Sequence, residues 1–198
     1  MKNYGEIKNL SFKELKGGIS QKTIEIHWEK LYQGYVKKWQ EIQENLETAD
    51  REMANASFSE FRELKIEETF TANAIILHEA YFDILGGDGN PEGEIIEVIA
   101  KNFGSFENWL KEFKSLGLAS RGWAVLGYDF NEERLRNYIA DAHNLYGIWG
   151  AAPILVLDVY EHAYFIDFGS DRKSYIESFF SNLDWGKINQ KFQKTAKK

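Results

Sequence analysis

The chain has 198 residues, 43% of them hydrophobic, which suits one large domain or two small joined ones around a real core. It has no cysteine, so disulfides and thiolate metal sites are excluded, and no apolar run reaches membrane-spanning length. The net charge of -7, from 24 basic and 31 acidic residues, argues against a nucleic-acid partner. The opening stretch Met1–Glu6 lacks the apolar centre of a signal peptide, so the default expectation is a soluble, cytoplasmic protein.

Leu10 to Gly18 reads as a leader with a Gly-Gly break, after which Ser20 can cap a helix. Ile24, His27, Leu31, Tyr35 and Trp39 recur every three to four residues and predict one face of a long helix, broadened by Tyr32, Val36 and Ile42. Polar residues from Glu44 to Asn55 predict the connection to a second long helix, from about Phe58 towards Leu85, which carries His78. Two long helices on a short link form an antiparallel hairpin.

The run from Gly86 to Pro91 is the strongest break in the chain and places a boundary between a helical hairpin, residues 1–88, and a second domain, residues 89–198. Two shorter helices follow, about Gly93 to Asn102 and Ser105 to Leu116. Strands are predicted over Gly122–Tyr128 and Arg134–Ile139, with Asn131 and Glu132 in the turn. The apolar run Ala151–Leu157 reads as a third, buried strand. The second domain is therefore expected to be α/β, with a three-stranded antiparallel sheet flanked by helices, and the whole chain α+β. Tyr175 to Leu183 is predicted helical, and the lysine-rich stretch Lys191–Lys198 reads as a solvated, frayed terminus.

The third strand ends on Asp158 and brings an imidazole, His162, four residues later. The remaining histidines are His27 and His78, inside the predicted helices, and His143, just before the strand. Three imidazoles and a carboxylate suit a first-row metal such as Fe, Mn or Zn. Spacing alone is a weak signal, because each histidine has the ordinary alternative of a hydrogen-bonded core or surface residue.

The stretch Asp158-Val159-Tyr160-Glu161-His162-Ala163-Tyr164 resembles the iron/manganese superoxide dismutase signature Asp-x-Trp-Glu-His-Ala-Tyr. The resemblance runs from about Leu10 to about Trp185. Glu25 to Val36 resembles the family's first-ligand segment and Leu77 to Phe82 its second, and Phe103–Phe106 and Gly122–Leu126 match two intervening motifs. It implies that His27, His78, Asp158 and His162 bind one Fe or Mn ion, with a fifth position for water or hydroxide. The substrate implied is the superoxide anion. The metal must cycle between +2 and +3, which excludes zinc. Tyr35 aligns with a pocket tyrosine, Trp123 with a tryptophan walling the pocket, and Arg172 with an arginine that attracts the anion. Glu161 would meet His162 of a second subunit, giving a homodimer or homotetramer.

The chain departs from the family pattern in several places. Iron-type members carry a glutamine where Ala74 stands. His143, fifteen residues before Asp158, falls near the position from which manganese-type members supply it, and is expected to reach the metal-bound solvent without ligating the metal. A gateway histidine and its partner-subunit tyrosine are replaced by Leu31 and Phe165, so their proton relay must be shortened or rerouted. Leu77 and Tyr160 replace an asparagine and the signature tryptophan. Two other functions are compatible with these departures: another non-haem metal enzyme on the same scaffold, or a non-catalytic metal-binding dimer.

Overall fold

Ser20 opens the first helix because its side-chain oxygen accepts a hydrogen bond from the Thr23 amide at 3.2 Å. The computed structural model describes residues 3–12 and 14–197. Met1, Lys2, Lys13 and Lys198, and with them the outer ends of both expected domains, lie outside the described residues. The first helical rod comprises α1 (Gln21–Glu25), a π-helical segment (Ile26–Tyr32) and α2 (Gln33–Thr48). The junction residues keep right-handed helical backbone angles, so the rod is continuous.

Two sequence expectations change here. The predicted uniform helix contains a π segment, a feature that concentrates at functional sites. It carries His27, and it turns His27, Trp28 and Tyr32 inward while Leu31 is only half-buried. The rod also continues to Thr48, through residues predicted as connection, where Glu44, Leu46 and Glu47 are good helix formers.

Ser59 caps α3 (Glu60–Asp83), accepting from the Arg62 amide at 3.2 Å, and Glu60 and Glu63 in the first turn complement the helix dipole. From Thr71 to Phe82 most residues of α3 are buried, and from Leu77 to Phe82 all are, as fits a helix packed against α2 on one side and the sheet on the other. Glu79 is buried within it and is neutralised by Lys8 Nζ at 2.7 Å, while Tyr32 donates to its other oxygen at 3.1 Å. That pair ties the leader to both helices of the hairpin.

At the break, Gly87 lies so close to the Leu183 carbonyl that no side chain fits. Its amide donates to Asn182 O at 3.0 Å, so the inter-domain loop is laced to the C-terminal segment. Helices α4 (Glu94–Phe103) and α5 (Phe106–Ala119) follow, the latter capped by Ser105. Strands β1 (Trp123–Asp129), β2 (Arg134–Ala140) and β3 (Ala151–Asp158) form an antiparallel sheet in the order β2-β1-β3. As the central strand, β1 is buried almost throughout and does not alternate. Its first residue, Trp123, pairs with Ala140 on one side and Asp158 on the other, which brings both strand ends to the site.

After β3 come a short 3-10 turn (Glu161–Ala163), α6 (Phe165–Phe168), α7 (Arg172–Ser181) and α8 (Trp185–Ala196). The expected frayed terminus is instead this last helix. Asp184 caps it, and Trp185, Ile188 and Phe192 form a buried stripe against β3 and β1, with Lys194 exposed. No helix of the described residues is long and apolar enough to cross a membrane.

Candidate metal centre

Each half of the fold contributes two members of one cluster. The π segment supplies His27, α3 supplies His78, the end of β3 supplies Asp158, and the 3-10 turn supplies His162. Their ligand atoms all lie within 4.8 Å of one another, the only such group among the described residues that could hold a metal ion. Asp158 Oδ2 is the hub: the Nε2 atoms of His27, His162 and His78 stand 3.1, 3.2 and 3.8 Å from it.

The hydrogen bonding points these nitrogens at a shared guest. His78 Nδ1 lies 2.7 Å from the Ala74 carbonyl, which can only accept, so Nδ1 carries the proton and Nε2 presents a lone pair. The Nε2 atoms of His27 and His78 are fully buried and have no hydrogen-bond partner. An unpaired buried polar atom costs about 1–3 kcal/mol. A cation bound to both Nε2 atoms and to Asp158 Oδ2 would remove that cost and balance the buried carboxylate. The residues therefore fit one first-row metal ion with a three-nitrogen, one-oxygen set.

Protonation follows the same geometry. Burial lowers the pKa of His27, and lowers that of His78 well below the ordinary 6.5, so both offer neutral nitrogen to a cation. Burial would raise the pKa of Asp158, but the charge and hydrogen bond of the neighbouring His162 lead the effects that outweigh it and hold the carboxyl ionised. His162 is less buried, and although burial lowers its pKa, Asp158 draws it up.

Beside the cluster, Trp123 is fully buried with its ring 5.0 Å from that of His78. Its indole N–H donates to His143 Nδ1 at 3.0 Å. Because an indole only donates, His143 is the Nε2–H tautomer, and that N–H donates to the Tyr35 hydroxyl at 3.0 Å. Burial lowers the His143 pKa to about 4 and keeps it neutral. His143 is 5% exposed, and its ring packs on Phe70 at 4.6 Å and on His78 at 5.7 Å. Ala74 sits one helical turn from each of these, so its small side chain leaves room for the imidazole.

His143 lies beside the cluster and joins Trp123 to Tyr35. Both of its ring nitrogens are engaged, and the proton left free is that of the Tyr35 hydroxyl.

The cluster gathers His27, His78, Asp158 and His162, with Tyr35, Trp123 and His143 alongside. Arg172 donates to the Ser120 carbonyl at 2.8 Å and to the Tyr164 hydroxyl at 3.2 Å. Three further tyrosines border the site, of which sequence reasoning gave Tyr81 and Tyr175 no role there. Tyr160 stacks on His162 at 5.3 Å, Tyr81 packs on His27 at 5.3 Å, and Tyr175 donates to the Asp158 carbonyl at 2.7 Å. Tyr160, two residues before His162, and Tyr81, three residues after His78 on one helix, each lie close in sequence to a member of the cluster.

Comparison with known proteins agrees with this architecture. Residues 7–86 match the alpha-hairpin domain of iron/manganese superoxide dismutases, and residues 91–191 match their C-terminal domain. A protein of Aquifex aeolicus named as an iron superoxide dismutase is 44% identical over 185 residues, covering 91% of this chain and 87% of that one. One of Cupriavidus metallidurans, also named for iron, is 38% identical over 178 residues, covering 88% and 89%. One of Halobacterium salinarum, named for manganese, is 35% identical over 191 residues, covering 93% and 92%. With both domains matched in order around a buried three-histidine, one-aspartate cluster, the chain belongs to the iron/manganese superoxide dismutase family.

Proposed function

We propose that this chain disproportionates superoxide, two anions and two protons giving dioxygen and hydrogen peroxide, at one iron or manganese ion held by His27, His78, Asp158 and His162. The observation that carries this reading is the pair of buried, unpartnered Nε2 atoms aimed with His162 at one buried carboxylate. A bound iron or manganese ion supplies the one-electron couple between +2 and +3.

The chain's own residues supply protons and exclusion. Trp123 fixes the tautomer of His143, and His143 orients the Tyr35 hydroxyl as a donor towards the pocket. Burial, then the nearby Asp158 charge, raise the Tyr35 pKa, so the phenol keeps its proton through the neutral range. This three-residue line stands in for the relay that Leu31 and Phe165 cannot form. Arg172, pinned by Ser120 and Tyr164, is proposed to offset the net negative charge for an anionic substrate. The division between the halves is proposed at residues 88 and 89, between the two matched spans.

The test is superoxide consumption by chain loaded with iron and, separately, with manganese. Consumption that appears with either metal and vanishes on chelation supports the reading. Full loading with background consumption contradicts it and leaves a different metal chemistry or a binding role.

The working unit is proposed to be a two-fold dimer in which Glu161 of one subunit meets His162 of the other. Glu161 is exposed, and His162 turns Nε2 inward while its side chain stays 26% exposed. Beside them Phe165 and Ile166 are 54% and 46% exposed, an apolar margin that a second subunit would bury. Glu161→Ala is expected to shift sedimentation from dimer to monomer and to lower metal content with it. A wild-type chain that sediments as an active monomer at micromolar concentration would refute the pairing.

A further inference from the structure

Two buried tyrosines outside the ligand set form a directed hydrogen-bond chain to Asp158. Tyr175, on α7, is fully buried and its hydroxyl lies 2.7 Å from the Asp158 main-chain carbonyl. A carbonyl can only accept, so Tyr175 spends its single proton there. Tyr81, on α3 and 2% exposed, stands 3.2 Å away, hydroxyl to hydroxyl. With the Tyr175 proton committed, Tyr81 must be the donor in that pair. The direction is therefore Tyr81 to Tyr175 to Asp158.

The chain touches the cluster from both halves of the fold. Tyr81 follows His78 by less than one helical turn, and its ring lies 5.3 Å from that of His27. Tyr175 is fixed from its other side by stacking on Tyr164 at 5.2 Å. Asp158 is thereby held at two points: Tyr175 fixes its main chain, and the Tyr160 amide donates to Oδ1 at 2.9 Å. Only Oδ2 is left to face the three imidazoles. Buried hydroxyls need partners, and this pair satisfies each other's needs while spanning the inter-domain seam.

We propose that Tyr81 and Tyr175 are positioning residues that clasp Asp158 from the hairpin side and the sheet side, so that the coordination geometry is set by protein hydrogen bonds before any metal binds. The inference rests on the metal-site reading above. Residues that orient a ligand in this way typically contribute about 10–100-fold to metal affinity. Because the Tyr81 hydroxyl acts only through Tyr175, the effects of removing the two hydroxyls on the metal must not add.

The experiment titrates Mn²⁺ into metal-free wild type, Tyr81→Phe, Tyr175→Phe and the double variant against a competing chelator, and records the electron paramagnetic resonance spectrum of each Mn²⁺-loaded form. Tyr175→Phe is expected to bind Mn²⁺ at least about tenfold more weakly, with an altered spectrum. Tyr81→Phe should move both in the same direction by less, and the double variant should match Tyr175→Phe. A merely structural role would lower thermal stability and leave affinity and spectrum at wild-type values, and that result overturns the clasp. If Tyr175→Phe does not fold, Tyr81→Phe decides alone: a weaker affinity and shifted spectrum support the clasp, and wild-type values overturn it. A wild-type chain that binds no Mn²⁺ overturns the metal-site reading and the clasp together. Tight binding by wild type and all variants alike overturns the clasp only.

Discussion

Asp158→Ala is expected to give a folded chain that holds no metal and consumes superoxide at the background rate. Asp158 is the one anion in the cluster, fully buried, and its Oδ2 is the atom on which the three imidazoles converge. Alanine leaves three neutral nitrogens and no charge to balance a divalent or trivalent ion. The loss of activity should exceed about 100-fold, beyond what removing an outer hydrogen-bond partner costs. His78→Ala should behave alike, because it removes the Nε2 atom that faces Asp158, on a ring that the Ala74 carbonyl holds in place through Nδ1. The metal-loaded wild type should also unfold at a higher temperature than either variant, since an ion bound only to the native state stabilises it. Metal analysis beside the superoxide assay checks this, and full occupancy with undiminished activity in either variant would refute the ligand assignment.

His143→Ala should separate binding from turnover. The metal should stay, because His143 touches the cluster only by ring contact with His78. Activity should fall by about 10–100-fold, because Tyr35 loses its orienting donor and the Trp123 indole loses its acceptor. His143→Gln should recover much of the loss: an amide offers one acceptor for Trp123 and one donor for Tyr35. Burial depresses the His143 pKa to about 4 from 6.5, so the unfolded chain takes up this proton first. The fold therefore loses stability from about pH 6.5 down to about 4, and that part of the slope should vanish in the alanine variant. Unchanged turnover in His143→Ala would remove the relay.

The four members of the cluster were legible because their signals are local. An apolar strand ending in Asp158, with His162 four residues on, and two histidines on helical stripes are visible without any tertiary contact. Cap residues placed helix starts well for the same reason, as at Ser20 and Ser105. The π segment was not legible, because residues spaced three and four apart look the same in an α-helix. Its extra width shows only in which side chains meet the core, Trp28 and Tyr32 and not Leu31. Helix α8 was hidden by composition: its lysines dominate the stretch, while the deciding residues are Trp185, Ile188 and Phe192.

The contacts around the cluster were the least legible, because they depend on distant pairings. His143 meets Trp123 across 20 residues and Tyr35 across 108. Tyr81 meets Tyr175 across 94. In each case one donor-only or acceptor-only group fixes the direction of the whole line, and no periodicity in the sequence carries that information.

The most direct measurement is anomalous X-ray diffraction from crystals of the metal-loaded chain, collected at the iron and manganese absorption edges. A single peak per chain is expected, about 2.0–2.2 Å from Nε2 of His27, His78 and His162 and from Oδ2 of Asp158, with Tyr35 the nearest hydroxyl on its open side. A peak at any other set of side chains, or one bound to His143, would contradict the assignment of the site.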